Sequence, residues 1–161
     1  MGVSNVIAFS LTMFIGLATF GSIFLVVTNV VGTVEKSESV RQSLYLDQLN
    51  SKISIGSVSL SGNDLILMVT NNGSIPLWDF QHFAVIIQYY ANISNKSTLL
   101  VSLYNFSNSP SSYQWTSSQI LEPDGSSEFQ IVLPYPPYPN TPAVAVISTN
   151  YGTSAVWRGT L

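Results

Sequence analysis

Residues 3–34 read VSNVIAFSLTMFIGLATFGSIFLVVTNVVGTV, and the stretch contains no Lys, Arg, Asp, Glu or His. A helix that crosses a bilayer needs about 20 predominantly apolar residues. This run is longer, so a helix built from it crosses and continues past the bilayer. A cleaved secretory signal is the rival reading. It calls for a basic leading region, about 7–15 apolar residues and a small-residue cleavage site. Only Met1 and Gly2 precede the run, neither is basic, and Phe9, Phe14, Phe20 and Phe24 are spread along it. A pilin-type leader, cut just before its apolar helix, carries basic residues ahead of the cut, and none stands here. The expectation is a retained anchor over residues 1–34. Within it, Ala18 and Ser22 form a small-xxx-small pair of the kind that permits close helix packing in lipid.

Outward from the anchor, Gly32 to Lys52 holds no Pro and no Gly after Gly32 itself. Val34, Val40, Leu44 and Leu49 fall roughly on one side of a helix. A helical stalk over residues 35–50 is expected, as a plain linker or as a surface for a partner helix. After Asn50 the period changes. Ile53, Ile55, Ser57 and Ser59 alternate with Ser54, Gly56, Val58 and Leu60. A Ser61–Asn63 turn follows, then Leu65 to Val69, a strand–turn–strand signal. Asn71 to Ser74 form the next turn, and Pro76 forbids a regular central strand there. Further runs lie at Phe83–Tyr90, Leu99–Tyr104, Ser127–Leu133, Ala143–Thr149 and Thr153–Trp157. Asn105–Ser118, rich in Ser, Asn and aromatics, reads as irregular. Pro134–Pro142, with five prolines, reads as extended and polyproline-like. Seven or eight short strands separated by turns predict an immunoglobulin-like β-sandwich over residues 51–161. The fold class is thus α plus all-β: a transmembrane helix with a stalk, then a sandwich. There is no Cys-Trp-Cys pattern, so the immunoglobulin likeness is one of architecture.

Composition narrows the chemistry. Only 8% of the 161 residues are Asp, Glu, Lys or Arg, against about 25% in soluble proteins at large. The surface must therefore be made polar by Ser, Thr, Asn, Gln and Tyr. A head of this kind suits acid surroundings, because stability from paired carboxylates is lost as pH falls through their native pKa values. The net charge of -3 leaves no basic footprint for nucleic acid. With no cysteine, disulfides, thiolate zinc sites and cysteine nucleophiles are excluded. Asn-x-Ser/Thr acceptor tripeptides occur at Asn72, Asn92, Asn95 and Asn105. Lys36 and Arg41 after the span would count for a cytoplasmic head by the positive-inside tendency. Glu35 and Glu38 interleave with them, however, and the four acceptors and the low charge point outward. The expected topology is single-pass in the cell membrane, with a cytoplasmic N-terminus and an external head.

No catalytic set emerges. One histidine, His82, cannot make a zinc site alone. Asp79 and His82 lack an accompanying nucleophile-elbow sequence, and Glu122 and Asp124 around Pro123 read as turn chemistry. No catalytic residue, cofactor or metal is expected. The informative surface is the strand Phe83–Tyr90. Its faces are Phe83, Val85, Ile87, Tyr89 and Ala84, Ile86, Gln88, Tyr90, and the second set stays partly apolar. Either both faces are covered or Ile86 lies in a subunit interface. Val85, Ile86, Ile87, Gln88 and Tyr90 are the candidate interface residues, with a homodimer as the expected assembly.

The order of parts resembles pilin-like archaeal proteins, in which an apolar N-terminal helix leads directly into a β-sandwich. Within that group, Met1-Gly2-Val3-Ser4, Ile7-Ala8-Phe9 and Met13-Phe14-Ile15 are similar to the opening of the archaellum accessory protein F family. Val69-Thr70-Asn71-Asn72-Gly73-Ser74 is similar to the strand-turn of its heads. The resemblance covers the helix and first hairpin, and the sister protein G family shares the layout. It implies a stator: a membrane-held frame that reaches the surface layer (S-layer) outside, with F binding the S-layer protein beside protein G and the motor complex. The head would then occupy the space between membrane and S-layer. The resemblance brings no catalytic residues. A filament subunit and a cell-surface adhesin are the alternatives.

Overall fold

A computed structural model describes residues 2–161. Helix α1 runs unbroken from Gly2 to Asn50, about 70 Å at 1.5 Å per residue. The hydroxyls of Ser10, Thr12, Thr19, Ser22, Thr28, Thr33 and Ser37 bond back to carbonyls one turn earlier. Ser10 Oγ donates to the Val6 carbonyl, Thr12 Oγ1 to that of Ala8 and Ser22 Oγ to that of Ala18, each at 2.8 Å. This back-bonding lets Ser and Thr sit in an apolar helix without exposing an unpaired donor. No residue of α1 is buried, and the helix is long and apolar enough to cross a membrane. The chain divides into two compact units, residues 1–44 and residues 45–161.

The second unit carries eight strands: β1 (Ile53–Ser61), β2 (Asp64–Asn71), β3 (Ala84–Ile93), β4 (Lys96–Phe106), β5 (Gln114–Ser117), β6 (Ser126–Val132), β7 (Pro142–Ser148) and β8 (Ser154–Thr160). Their hydrogen-bonded order is β1-β2-β6-β5-β4-β3-β7-β8. All pairings are antiparallel except β4–β5, a short parallel contact of Asn105 with Gln114 and Phe106 with Trp115. That contact joins two antiparallel halves, which close over one core. Leu65, Leu67, Val69, Trp115, Phe129 and Ile131 enter it from one half, and Val85, Ile87, Tyr89, Ala145 and Ile147 from the other. At its centre Trp115 stacks on Phe129 with ring centroids 4.7 Å apart, while Phe80 and Phe106 meet Trp115 edge-on. Burying aromatic rings of this size dominates core energetics.

Two readings of the sequence are corrected here. Asn105–Ser118 is not wholly irregular, since it holds β5, whose Trp115 is fully buried. The even alternation read along Ile53–Leu60 is broken by an irregularity between Ile55 and Val58, a bulge that shifts which residues face inward. The Pro134–Pro142 segment is an ordered strap. Ala91 bridges Pro137, Asn92 N donates to the Pro136 carbonyl at 2.8 Å and Tyr138 N to that of Tyr90 at 2.7 Å.

Strand directions give the head two ends. One gathers Ser61–Asp64, the β3–β4 turn, the proline strap and Leu161. The other receives the chain from α1. There Ser74 N donates to the Asn50 carbonyl at 2.8 Å and Asn72 N to the Lys52 carbonyl at 2.7 Å. A Cβ on Gly73 would overlap the Asn50 carbonyl oxygen and the Lys52 amide nitrogen, so only glycine lets the turn close on the incoming chain. Ser51 Oγ, buried beside it, lies 2.6 Å from Thr153 Oγ1, which lies 2.8 Å from Thr149 Oγ1.

Candidate functional site: an outward apolar sheet face

In β3 successive side chains point to opposite faces. Val85, Ile87 and Tyr89 are core residues, whereas Ile86 and Gln88 are exposed and Tyr90 is half-buried. Val85 and Ile87 therefore leave the candidate interface, and Ile86, Gln88 and Tyr90 remain. Only one face of the strand is covered.

Register extends this face across four strands. Ile86 pairs with Leu103 of β4 on one side and Val146 of β7 on the other, and Val146 pairs with Val156 of β8. Leu103 is 56% exposed, Ile86 38% and Val156 52%. The neighbouring row runs Val101, Gln88, Val144 and Arg158, and Leu99 stands opposite Tyr90. An antiparallel sheet with one wet face should present polar residues there. This one presents branched aliphatics around Gln88 and Arg158, with Asn105, Ser148 and Ser154 along its margin, and exposed apolar patches are a general feature of interaction surfaces.

Sequence reasoning found Ile86 and missed its partners. The alternation of Leu99, Val101 and Leu103 was a local signal for β4. Val146 and Val156 gave none, because their adjacency depends on pairing order. A second outward pair was also missed. Leu77 and Leu121 bridge through reciprocal hydrogen bonds of 2.9 and 3.0 Å. Both are buried, while their neighbours Trp78 and Ile120 are exposed.

The acceptor tripeptides scatter over the head. Asn72 is exposed at the chain-entry end, its Nδ2 donating to Ser54 Oγ at 3.0 Å. Asn105 is exposed near the end of β4, Asn95 is exposed in the β3–β4 turn, and Asn92 is half-buried in β3. His82 ends a 3-10 turn, Phe80–His82, and its Nδ1 lies 2.8 Å from Asp79 Oδ2. The pair is at the surface, with no serine hydrogen-bonded to the ring among the described residues. No group of three or more His, Cys, Asp or Glu side chains among the described residues could hold a metal ion.

A long apolar helix followed by an eight-stranded β domain with an apolar outer face defines a class: an immunoglobulin-like domain behind an N-terminal apolar helix. The family model "conserved flagellar protein F, immunoglobulin-like domain" matches residues 49–159. The chain belongs to that flagellar protein F family. Solved structures share the fold. The archaellum periplasmic stator protein FlaG from Sulfolobus acidocaldarius is 21% identical with a TM-score of 0.55, covering 68% of this chain and 99% of that one. A chain of the stator complex FlaF and FlaG from Sulfolobus acidocaldarius is 20% identical with a TM-score of 0.55, covering 66% and 87%. A chain of the archaeal flagellum of Methanospirillum hungatei strain JF1 is 20% identical with a TM-score of 0.64, covering 100% and 93%. No curated protein matches the chain.

Proposed function

We propose that this protein is a non-enzymatic stator component of the archaellum motor, which holds the motor static by binding the S-layer. The observation that carries this reading is the flagellar protein F match over residues 49–159 in a chain whose α1 is long enough to cross a membrane. Residues 1–34 anchor the protein, 35–50 form the stalk and 51–161 the external head between membrane and S-layer. The named complex of FlaF with FlaG supports an FlaG homologue and the motor complex as partners. The apolar face through Leu103, Ile86, Val146 and Val156 supports self-association into a homodimer.

The test is capture from native membranes and cell envelope with the detergent-solubilised full chain as bait. Recovery of the S-layer protein is expected. Recovery of archaellum filament subunits alone would transfer the protein to the filament. That second reading is favoured by the fold match to the Methanospirillum hungatei flagellum, which spans the whole chain. Mass analysis of the N-terminus separates the two. A stator component keeps Met1 or Gly2, and a filament subunit is processed.

A further inference from the structure

Two acceptor tripeptides, Asn92-Ile93-Ser94 and Asn95-Lys96-Ser97, abut at the β3–β4 hairpin. We infer that Asn95 carries an N-linked oligosaccharide and that Asn92 stays bare. The inference rests on the outward-head reading above.

The hairpin gives its two asparagines opposite environments. Ile93 pairs with Lys96, so Ser94 and Asn95 form a two-residue turn. Their φ angles are 52° and 63°, the left-handed region that a primed hairpin turn requires and that Asn tolerates best after Gly. Asn95 and every residue from Ser94 to Leu99 are exposed, so the whole Asn95 tripeptide is open to an enzyme. Asn92 is a paired strand residue opposite Ser97. Its backbone N is held by the Pro136 carbonyl of the proline strap. Its side-chain Oδ1 is buried and finds no hydrogen-bond partner among the described residues. A transferase must surround the carboxamide, and at Asn92 half of that group is already enclosed.

The chemistry is a group transfer. The Nδ2 of Asn95 attacks the anomeric carbon of a lipid-phosphate-linked oligosaccharide. A C–N bond forms, the C–O bond to the lipid phosphate breaks, the amide gives up one proton and the lipid phosphate departs. An oligosaccharyltransferase on the outer membrane face supplies the catalyst. The attached sugar lies at the end of the head opposite the chain entry, and it gives a tip with little charge a strongly hydrated cover.

The experiment uses the full chain with a C-terminal tag, expressed in an archaeal host and purified from its membranes. Intact-mass and glycopeptide measurements are made on wild type, Asn92→Gln, Asn95→Gln and Ser97→Ala. The last removes the Asn95 acceptor without touching the turn residue. Protease added to intact cells stripped of S-layer reports whether the tag is outside. An external tag, a glycan at Asn95, its loss in both Asn95→Gln and Ser97→Ala, and an unchanged glycan mass in Asn92→Gln are the expected results. An external tag with Asn95 bare, or with a glycan on Asn92, overturns this inference alone. A protected tag overturns the outward-head reading and the inference with it.

Discussion

Single residues decide how firmly the head is closed. Gly73 admits the Asn50 carbonyl against its backbone, and any side chain there collides with main-chain atoms that cannot rotate away. Gly73→Ala should therefore destabilise the head by about 1–3 kcal/mol, the usual cost of overpacking, measured as a lower urea midpoint in the detergent-solubilised protein. An unchanged midpoint would show that the turn is not clamped on the incoming chain. Tyr89 offers a second test. It is buried and its hydroxyl donates to the Tyr135 carbonyl at 2.9 Å. Burial pushes its pKa from 10.0 up to about 12, and burial pushes Tyr104 up as well. Above the unfolded value the unfolded chain binds fewer protons than the native one, so stability falls as pH rises. The contribution is whole below pH 10.0 and drains away as pH climbs through about 12. Tyr89→Phe should flatten that alkaline loss, read by thermal melts across the window. A loss as steep as in wild type would assign it to other groups.

At the scale of elements, the outer face of β4-β3-β7-β8 stands out as exposed apolar surface. A stable interface takes about 800 Å² from each subunit, so a dimer through this face would have to engage all four strands. Ile86→Lys places a charge in the middle of the row without touching Val85 or Ile87 in the core. A dimer through this face should weaken by at least about tenfold, or ~1.4 kcal/mol, while the far-UV spectrum stays unchanged. Light scattering of the solubilised protein checks this, and an unaltered mass in a folded variant would place the contact elsewhere. Here too lies the limit of what sequence reveals. Long alternating runs such as β3 and the turn-bounded pair β1–β2 are legible because period and turn residues are local. β5 is not, since Gln114–Ser117 is four residues long in a serine-rich stretch and owes its place to partners on β4 and β6. The same cause hid most of the candidate site. Ile86 announces itself as an apolar residue on the wrong side of a strand. Its neighbours Leu103, Val146 and Val156 come from three other strands, and their adjacency follows from the pairing order.

For the molecule as a whole, scarcity of charge becomes a statement about acid. The one ion pair among the described residues joins His82 to Asp79 at the surface, and exposed pairs of this kind contribute little. No carboxylate of the head is buried. The interior polar contacts are instead neutral: Ser51 with Thr153 and Thr149, Ser127 with Ser117, Asn71 with the Ile75 and Leu121 carbonyls. None of these titrates at low pH. The protein should keep its tertiary fold on acidification to about pH 4, where paired carboxylates elsewhere begin to fail. Near-UV circular dichroism of the solubilised chain tests this, and a cooperative transition above that pH would count against it.

The clamp around Asn50 has a mechanical meaning as well. Hydrogen bonds of an antiparallel ladder stand perpendicular to its strands. Traction on Asn50 directed along β1, with the proline-strap end held, strains the Ser74 and Asn72 bonds together with the β1–β2 rungs behind them. The rungs are loaded in shear, all at once, where a sideways pull would unzip them one after another. A domain moored in this way yields abruptly at a threshold force and scarcely creeps below it.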